Sequence, residues 1–226
     1  MSATSARIAA MFWDCGGVLL TNGWDHHGRR RVIEHFGLNF EEFEQRHLEP
    51  NEQWERGQIT LHEYLRQTVF DRPRDFTEDA FIAQMKALSK PLYPETIAWI
   101  RAQRSQQRAA GAFLECYLLS NESRELMDYR IANFGLRGLF DAYLVSAYIG
   151  LRKPEREFFR CALDVAQQPA DQCVFIDDRE ENVAAAREMG IHGIRMESPR
   201  QVLDQLKQLG VAAIGTGSAL TNSERG

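Results

Sequence analysis

From Pro94 onward the chain alternates between short apolar runs and longer amphipathic stretches, and this alternation more than any other feature limits the folds open to it. The spacing predicts a helix near Glu95–Arg108, a strand at Cys116–Leu119, a helix after Asn121 and a strand at Ala142–Ser146. A helix from Glu155, a strand at Cys173–Ile176, a helix from Glu181 and a strand near Ile191–Arg195 follow. The expected architecture is therefore α/β: a Rossmann-like parallel sheet with helices on both faces. Upstream, the segment Ile8–Leu20 (IAAMFWDCGGVLL) is a further buried strand that ends at Asp14 in a tight glycine loop.

Between these strand regions the pattern changes. Residues 21–90 lose β-branched runs and place apolar side chains at helical spacing, such as Val32, Ile33 and Phe36, or Leu61, Tyr64 and Leu65. Thr60 with Glu63 is a capping box, and Thr77 opens another helix. A length of 226 residues suits one domain carrying an insertion, giving a core at 1–20 and 91–213, an inserted α-helical cap at 21–90, and a frayed Gly-, Ser- and Thr-rich tail at 214–226.

Composition excludes some roles. The net charge of −5 offers no general attraction to nucleic acid or to an anionic membrane. No window reaches the roughly 18 apolar residues of a membrane span, and the start MSATSARIAA lacks a secretory pattern. Cys15, Cys116, Cys161 and Cys173 contain no C-x-x-C pair and read as reduced, mostly buried thiols. The expectation is a cytoplasmic protein.

In open parallel sheets, ligands gather where loops leave the carboxyl ends of the strands. Four such ends carry polar residues. Asp14 precedes Gly16 and Gly17, which reads either as a plain turn or as a nucleophile or metal ligand beside amides that approach an anion. Ser120 and Asn121 are donors for an oxyanion or simply a helix cap. Lys153, one of only four lysines, precedes Pro154, which is suited to the first position of the next helix. Asp177 and Asp178 repel each other at the last strand exit unless water or a hard cation compensates.

A carboxylate, a hydroxyl, a lysine and an acidic pair, in that order at successive strand ends, resemble the four motifs of the haloacid dehalogenase superfamily of phosphotransferases and hydrolases. The resemblance runs from about residue 8 to about residue 200 and includes FDAYLVSAYIGLRKPE and IDDREENVAAAREMG. The helical block between the first two motifs is similar to the subclass with a small α-helical cap that closes over the site. The glycines after Asp14 are similar to an Asp-x-Gly-Gly/Asn-Val branch that includes sugar-1-phosphate phosphatases.

The resemblance implies that Asp14 attacks phosphorus and becomes an aspartyl-phosphate, with Ser120 and Lys153 holding the phosphoryl group. It also implies that Asp14, the Gly16 carbonyl, Asp177 and Asp178 hold Mg²⁺, and that Gly16, Gly17 and Asn121 face a small phosphorylated metabolite. At position 16 most family phosphatases carry a second Asp that protonates the leaving group, and its absence costs about 10²- to 10⁴-fold in rate. Three readings of Gly16 follow: a phosphatase for substrates with good leaving groups, a metal-independent 2-haloacid dehalogenase, or a non-catalytic binding or regulatory protein. Asp25, His26 or His27 replaces the missing acid if its loop folds inward. Arg29, Arg30 and Arg31 are either a phosphate-binding cluster or an exposed helix face, and Trp24 and Trp54 either line a cap pocket or form its core.

Overall fold

The structure, a computed structural model, describes residues 7–110 and 114–211; the expected tail at 214–226 lies outside them. In chain order the elements are β1 (Ala10–Trp13), α1 (His26–His35), α2 (Phe40–Glu55), α3 (Leu61–Thr68), α4 (Glu78–Ala87) and α5 (Pro94–Ala110). Then come β2 (Glu115–Ser120), α6 (Arg124–Asn133), β3 (Ala142–Val145), α7 (Ser146–Ile149), α8 (Arg156–Ala166), β4 (Cys173–Asp177), α9 (Glu180–Glu188), β5 (His192–Arg195) and α10 (Pro199–Gln208).

The five strands form one parallel sheet in the order β3-β2-β1-β4-β5. Alternation along each strand sorts the core into two layers. Met11 and Trp13, Cys116 and Leu118, and Val174 and Ile176 face one side, where α5, α6 and α10 contribute Ile97, Ile100, Met127, Val202 and Leu206. Ala10 and Phe12, Tyr117 and Leu119, and Cys173 and Phe175 face the other, against Phe158, Phe159 and Ala162 of α8 and Ala186 of α9. Strands this short are stable because both faces are covered.

The four helices after β1 form a third apolar cluster, centred on Trp24, Phe43, Trp54, Tyr64 and Phe81 and joined by Leu126 of α6. Both tryptophans are thus packed side chains, not the lining of a pocket. The chain enters and leaves this block along two antiparallel segments: Thr21 N donates to Lys90 O (2.9 Å) and Leu92 N to Leu19 O (3.0 Å). One tie between the block and α6 is Glu125, which accepts from Trp54 Nε1 at 2.9 Å and from the Leu61 amide at 2.8 Å. Gly57 (φ +68°) lies against Ala147 O, where no side chain fits.

Two local expectations are corrected. Pro154 does not open α8: the helix starts at Arg156 with Glu155 as its N-cap, and Pro154 lies in the turn before it. Ser146 is not the end of β3 but the first residue of the short helix α7. Among the described residues no helix is long and apolar enough to cross a membrane.

Candidate active site

Parallel register puts the polar strand ends together. Trp13 of β1 pairs with Leu118 of β2 and Ile176 of β4, so Asp14, Leu119 and Asp177 stand at one level across three adjacent strands. The Asp14 amide continues the ladder to Ile176 O at 2.9 Å. Asp14 is 7% exposed and Asp177 fully buried.

Lys153 links them from the loop before α8. Its buried ammonium donates to Asp177 Oδ2 (2.6 Å) and Leu119 O (2.9 Å) and lies 2.9 Å from Asp14 Oδ1. Three donors thus meet three acceptors, which makes burial of the charge tolerable. Asn121, expected to meet an oxyanion, instead holds this lysine: its Oδ1 accepts from the Lys153 amide and its Nδ2 donates to the Lys153 carbonyl, both at 2.8 Å. Ser120 closes β2, buried, one residue beyond Leu119.

The two adjacent aspartates have different surroundings. Asp177 is filled with donors: besides Lys153, its Oδ1 accepts from Arg179 N (2.8 Å), and Asn182 Nδ2 lies 3.1 Å from each oxygen. Asp178 accepts at Oδ2 from Asn22 Nδ2 (3.2 Å), while its Oδ1 is buried with no partner. One ligand oxygen each from Asp14, Asp177 and Asp178 lies within 4.8 Å of the others. A buried carboxylate oxygen without a donor is costly, and the crowded negative charge raises that cost.

The electrostatics follow from this crowding. Burial pushes the Asp14 carboxyl up to about 7, against the pull of Lys153 and with a further push from Asp177. Burial also raises Asp178, opposed by the hydrogen bond from Asn22. Lys153 stays protonated, because the two carboxylates outweigh its own desolvation. The Cys15 thiol is pushed up to about 12 by burial, so it is a packed thiol and not a reactive one.

Gly17 has a different task from the one expected. Its amide donates to Leu20 O at 2.8 Å and is not free to meet an anion. Glycine is required there by the left-handed φ of +71° and because a Cβ would collide with Asp178 Oδ2. Among the candidate replacement acids, Asp25 caps α1, accepting from Gly28 N at 2.7 Å, and His26 pairs with Glu44 (3.3 Å) while His27 is exposed. Arg29 is bound to Glu44 at 2.6 Å, Arg30 stacks on Phe40 and Arg31 is exposed, so these arginines serve the helical block.

Sequence reasoning missed Asn22 at the site. It also missed Arg130, a buried guanidinium of α6 that pairs with Glu122 and donates to Ser89 Oγ (3.1 Å) and to the carbonyls of Thr21 (3.5 Å) and Asn22 (3.3 Å). The available signal was an arginine on the face of α6 that also carries Leu126 and Met127, with a glutamate just before that helix.

A buried aspartate, a buried lysine and paired carboxylates thus meet at the carboxyl ends of adjacent strands. A solved HAD family enzyme of Bacteroides thetaiotaomicron, in complex with magnesium and inorganic phosphate, superposes with a TM-score of 0.69 at 23% identity, covering 85% of this chain and 96% of that one. Drimenol cyclase drtB of Aspergillus calidoustus is 32% identical over 107 residues, 47% of this chain but only 20% of the relative, so the likeness concerns part of that protein. Fructose-1-phosphate phosphatase YqaB of Escherichia coli is 24% identical over 194 residues, 83% of this chain and 96% of the relative. The profile of haloacid dehalogenase-like hydrolases matches residues 8–190, and the chain belongs to that family.

Proposed function

We propose that this protein is a Mg²⁺-dependent phosphatase that hydrolyses a small phosphomonoester, of the sugar-phosphate kind, through a covalent intermediate on Asp14. The observation that carries the reading is the orphaned Asp178 Oδ1, buried beside the carboxylate of Asp14 with Lys153 already committed. The donor set fits a hard cation: Asp14 and Asp178 would supply oxygens, the family resemblance adds the Gly16 carbonyl, and Asp177, saturated by Lys153 and Asn182, would support them. When bound, Mg²⁺ supplies positive charge against which the phosphoryl oxygens can be neutralised.

The chain's own residues do the rest. An oxygen of Asp14 attacks phosphorus as the bond to the leaving oxygen breaks, and water then cleaves the aspartyl-phosphate, releasing inorganic phosphate and restoring the carboxylate. Lys153 keeps Asp14 oriented and offsets its charge, and Ser120 is the donor for a phosphoryl oxygen. Gly16 offers no proton to the leaving oxygen, which favours substrates whose leaving group departs unprotonated, such as an anomeric phosphate. The helical block would be the cap whose closure selects the substrate. A fructose-1-phosphate phosphatase among the relatives and a neighbour holding magnesium and phosphate support this reading.

The test is phosphate release from an aryl phosphate and a panel of sugar phosphates by purified protein. Turnover should require Mg²⁺ and vanish in Asp14→Asn; turnover that survives the substitution removes the nucleophile. Halide release from 2-haloacids without metal would select a dehalogenase instead.

A further inference from the structure

Positions 16 and 22 compete for one volume. A Cβ built on Gly16 would lie 2.7 Å from Asn22 Oδ1, too close for any real pair. Gly16, unlike Gly17, does not have a left-handed φ, so its backbone does not itself demand glycine. What the missing side chain leaves room for is the Asn22 carboxamide.

Asn22 is held both at its backbone and at its side chain. Its backbone carbonyl accepts from the buried Arg130 guanidinium at 3.3 Å, and Arg130 is itself fixed by Glu122 and Ser89. The Asn22 Nδ2 crosses 156 residues of sequence to donate to Asp178 Oδ2 at 3.2 Å. Asp178 sits just past the end of β4, where no ladder fixes its side chain. With Oδ2 taken by Asn22, Oδ1 is the oxygen left buried and unpaired, on a carboxylate that belongs to the acidic cluster.

We infer that Asn22 is a positioning residue for the divalent cation: its amide fixes the rotamer of Asp178 so that Oδ1 points to the ion, and Gly16 is retained to leave space for it. The inference rests on reading the acidic centre as a cation site. Residues that orient metal ligands without touching the metal typically contribute 10- to 100-fold in affinity. The pairing also makes Gly16 and Asn22 energetically one unit, which two independent sites would not be.

The experiment measures Mn²⁺ binding to metal-stripped full-length protein by electron paramagnetic resonance, and the Mg²⁺ concentration for half-maximal phosphate release, in the wild type, Asn22→Ala, Gly16→Ala and the double variant. Asn22→Ala should weaken Mn²⁺ binding about 10- to 100-fold. Gly16→Ala, by pushing the carboxamide aside, should weaken it similarly, and the double variant should be no weaker than the worse single one. Thermal unfolding in EDTA checks that each variant is folded; if Asn22→Ala is not, Gly16→Ala carries the test alone. Wild-type protein that binds no Mn²⁺ would defeat the underlying reading of the site. A wild type that binds beside variants that bind equally well would overturn the role of Asn22, and strictly additive losses would overturn the shared space.

Discussion

The helical block and the strand-end cluster both bury polar groups, and they handle them in opposite ways. In the block, Trp24 Nε1 donates to Tyr64 Oη (3.0 Å), and Tyr64 Oη in turn meets His47 Nδ1 at 2.6 Å. Burial pushes His47 down to about 4 and raises Tyr64, so both stay neutral, and the hydroxyl that accepts from the indole donates to the unprotonated ring nitrogen. Each of the three finds a partner. At the strand ends the chain keeps three carboxylates and one ammonium within reach of one another and leaves an oxygen unpaired. A neutral, closed network serves packing alone, whereas charge left uncompensated at a sheet edge is free energy that a ligand can recover.

The sharpest way to break the contrast is to remove the only cation in the strand-end cluster. Lys153→Met leaves Asp14 and Asp177 buried without their common partner, and a loss of about 3 to 5 kcal/mol in urea unfolding of the metal-free protein is expected. A loss near zero would mean that the carboxylates are not held charged by this lysine. The effect should also exceed that of any single substitution inside the helical network.

The two regions should respond to pH with opposite signs. The folded-state value of about 4 for His47 lies below its unfolded value of 6.5, so the unfolded chain takes up the proton first. Its stability contribution is intact above pH 6.5 and is lost as pH falls toward 4, about 3 kcal/mol in all. His47→Gln should flatten that part of the profile. Asp14 runs the other way: its value is raised from 3.8 to about 7, so its contribution is present below pH 4 and is lost as pH rises through 7. Saturating Mg²⁺ should abolish the second slope and leave the first. Unfolding midpoints between pH 4 and 8, with and without the cation, separate the two, and a cation effect equal at both ends would deny the link to Asp14.

These contrasts bear on what a sequence reveals. The sheet was readable because β1 to β4 are largely apolar runs that need no partner to identify them, and because Asp14, Ser120 and Asp177 stand at or just past the ends of such runs, while Lys153 lies in the loop after α7. The roles of Asn22, Asn121 and Gly17 were not readable. Each is defined by a contact with a residue far along the chain: Asp178 for Asn22 and Gly17, Lys153 for Asn121. Loop residues follow no period that would announce such a partner. Pro154 misled for a related reason: proline suits the first helical position, yet here Glu155 stands between it and the helix. The absent side chain at Gly16 was visible, but that Asn22 fills the volume emerges only from packing.

Within the helical network a smaller effect is expected from Tyr64→Phe. The indole of Trp24 and the ring of His47 would lose their shared partner, costing about 1 to 3 kcal/mol in stability, while the rate of phosphate release per folded molecule stays within twofold. A loss of turnover larger than the loss of folded protein would show that this network communicates with the strand-end cluster.

The smallest effect bears on the boundary between the regions. Asp25 lies three residues past Asn22, close enough in sequence to be suspected of supplying the proton that Gly16 cannot. Its carboxylate accepts from Gly28 N at 2.7 Å as the N-cap of α1, and the backbone there is extended, as a cap requires. Asp25→Ala should therefore cost about 1 kcal/mol, the ordinary worth of a cap, and leave the dependence of turnover on leaving-group basicity unchanged. Asp25→Asn, which keeps the capping oxygen, should recover the stability. If both substitutions instead slow hydrolysis by about 100-fold on poor leaving groups alone, the size expected for a lost general acid, Asp25 belongs to the reacting centre and the cap is incidental.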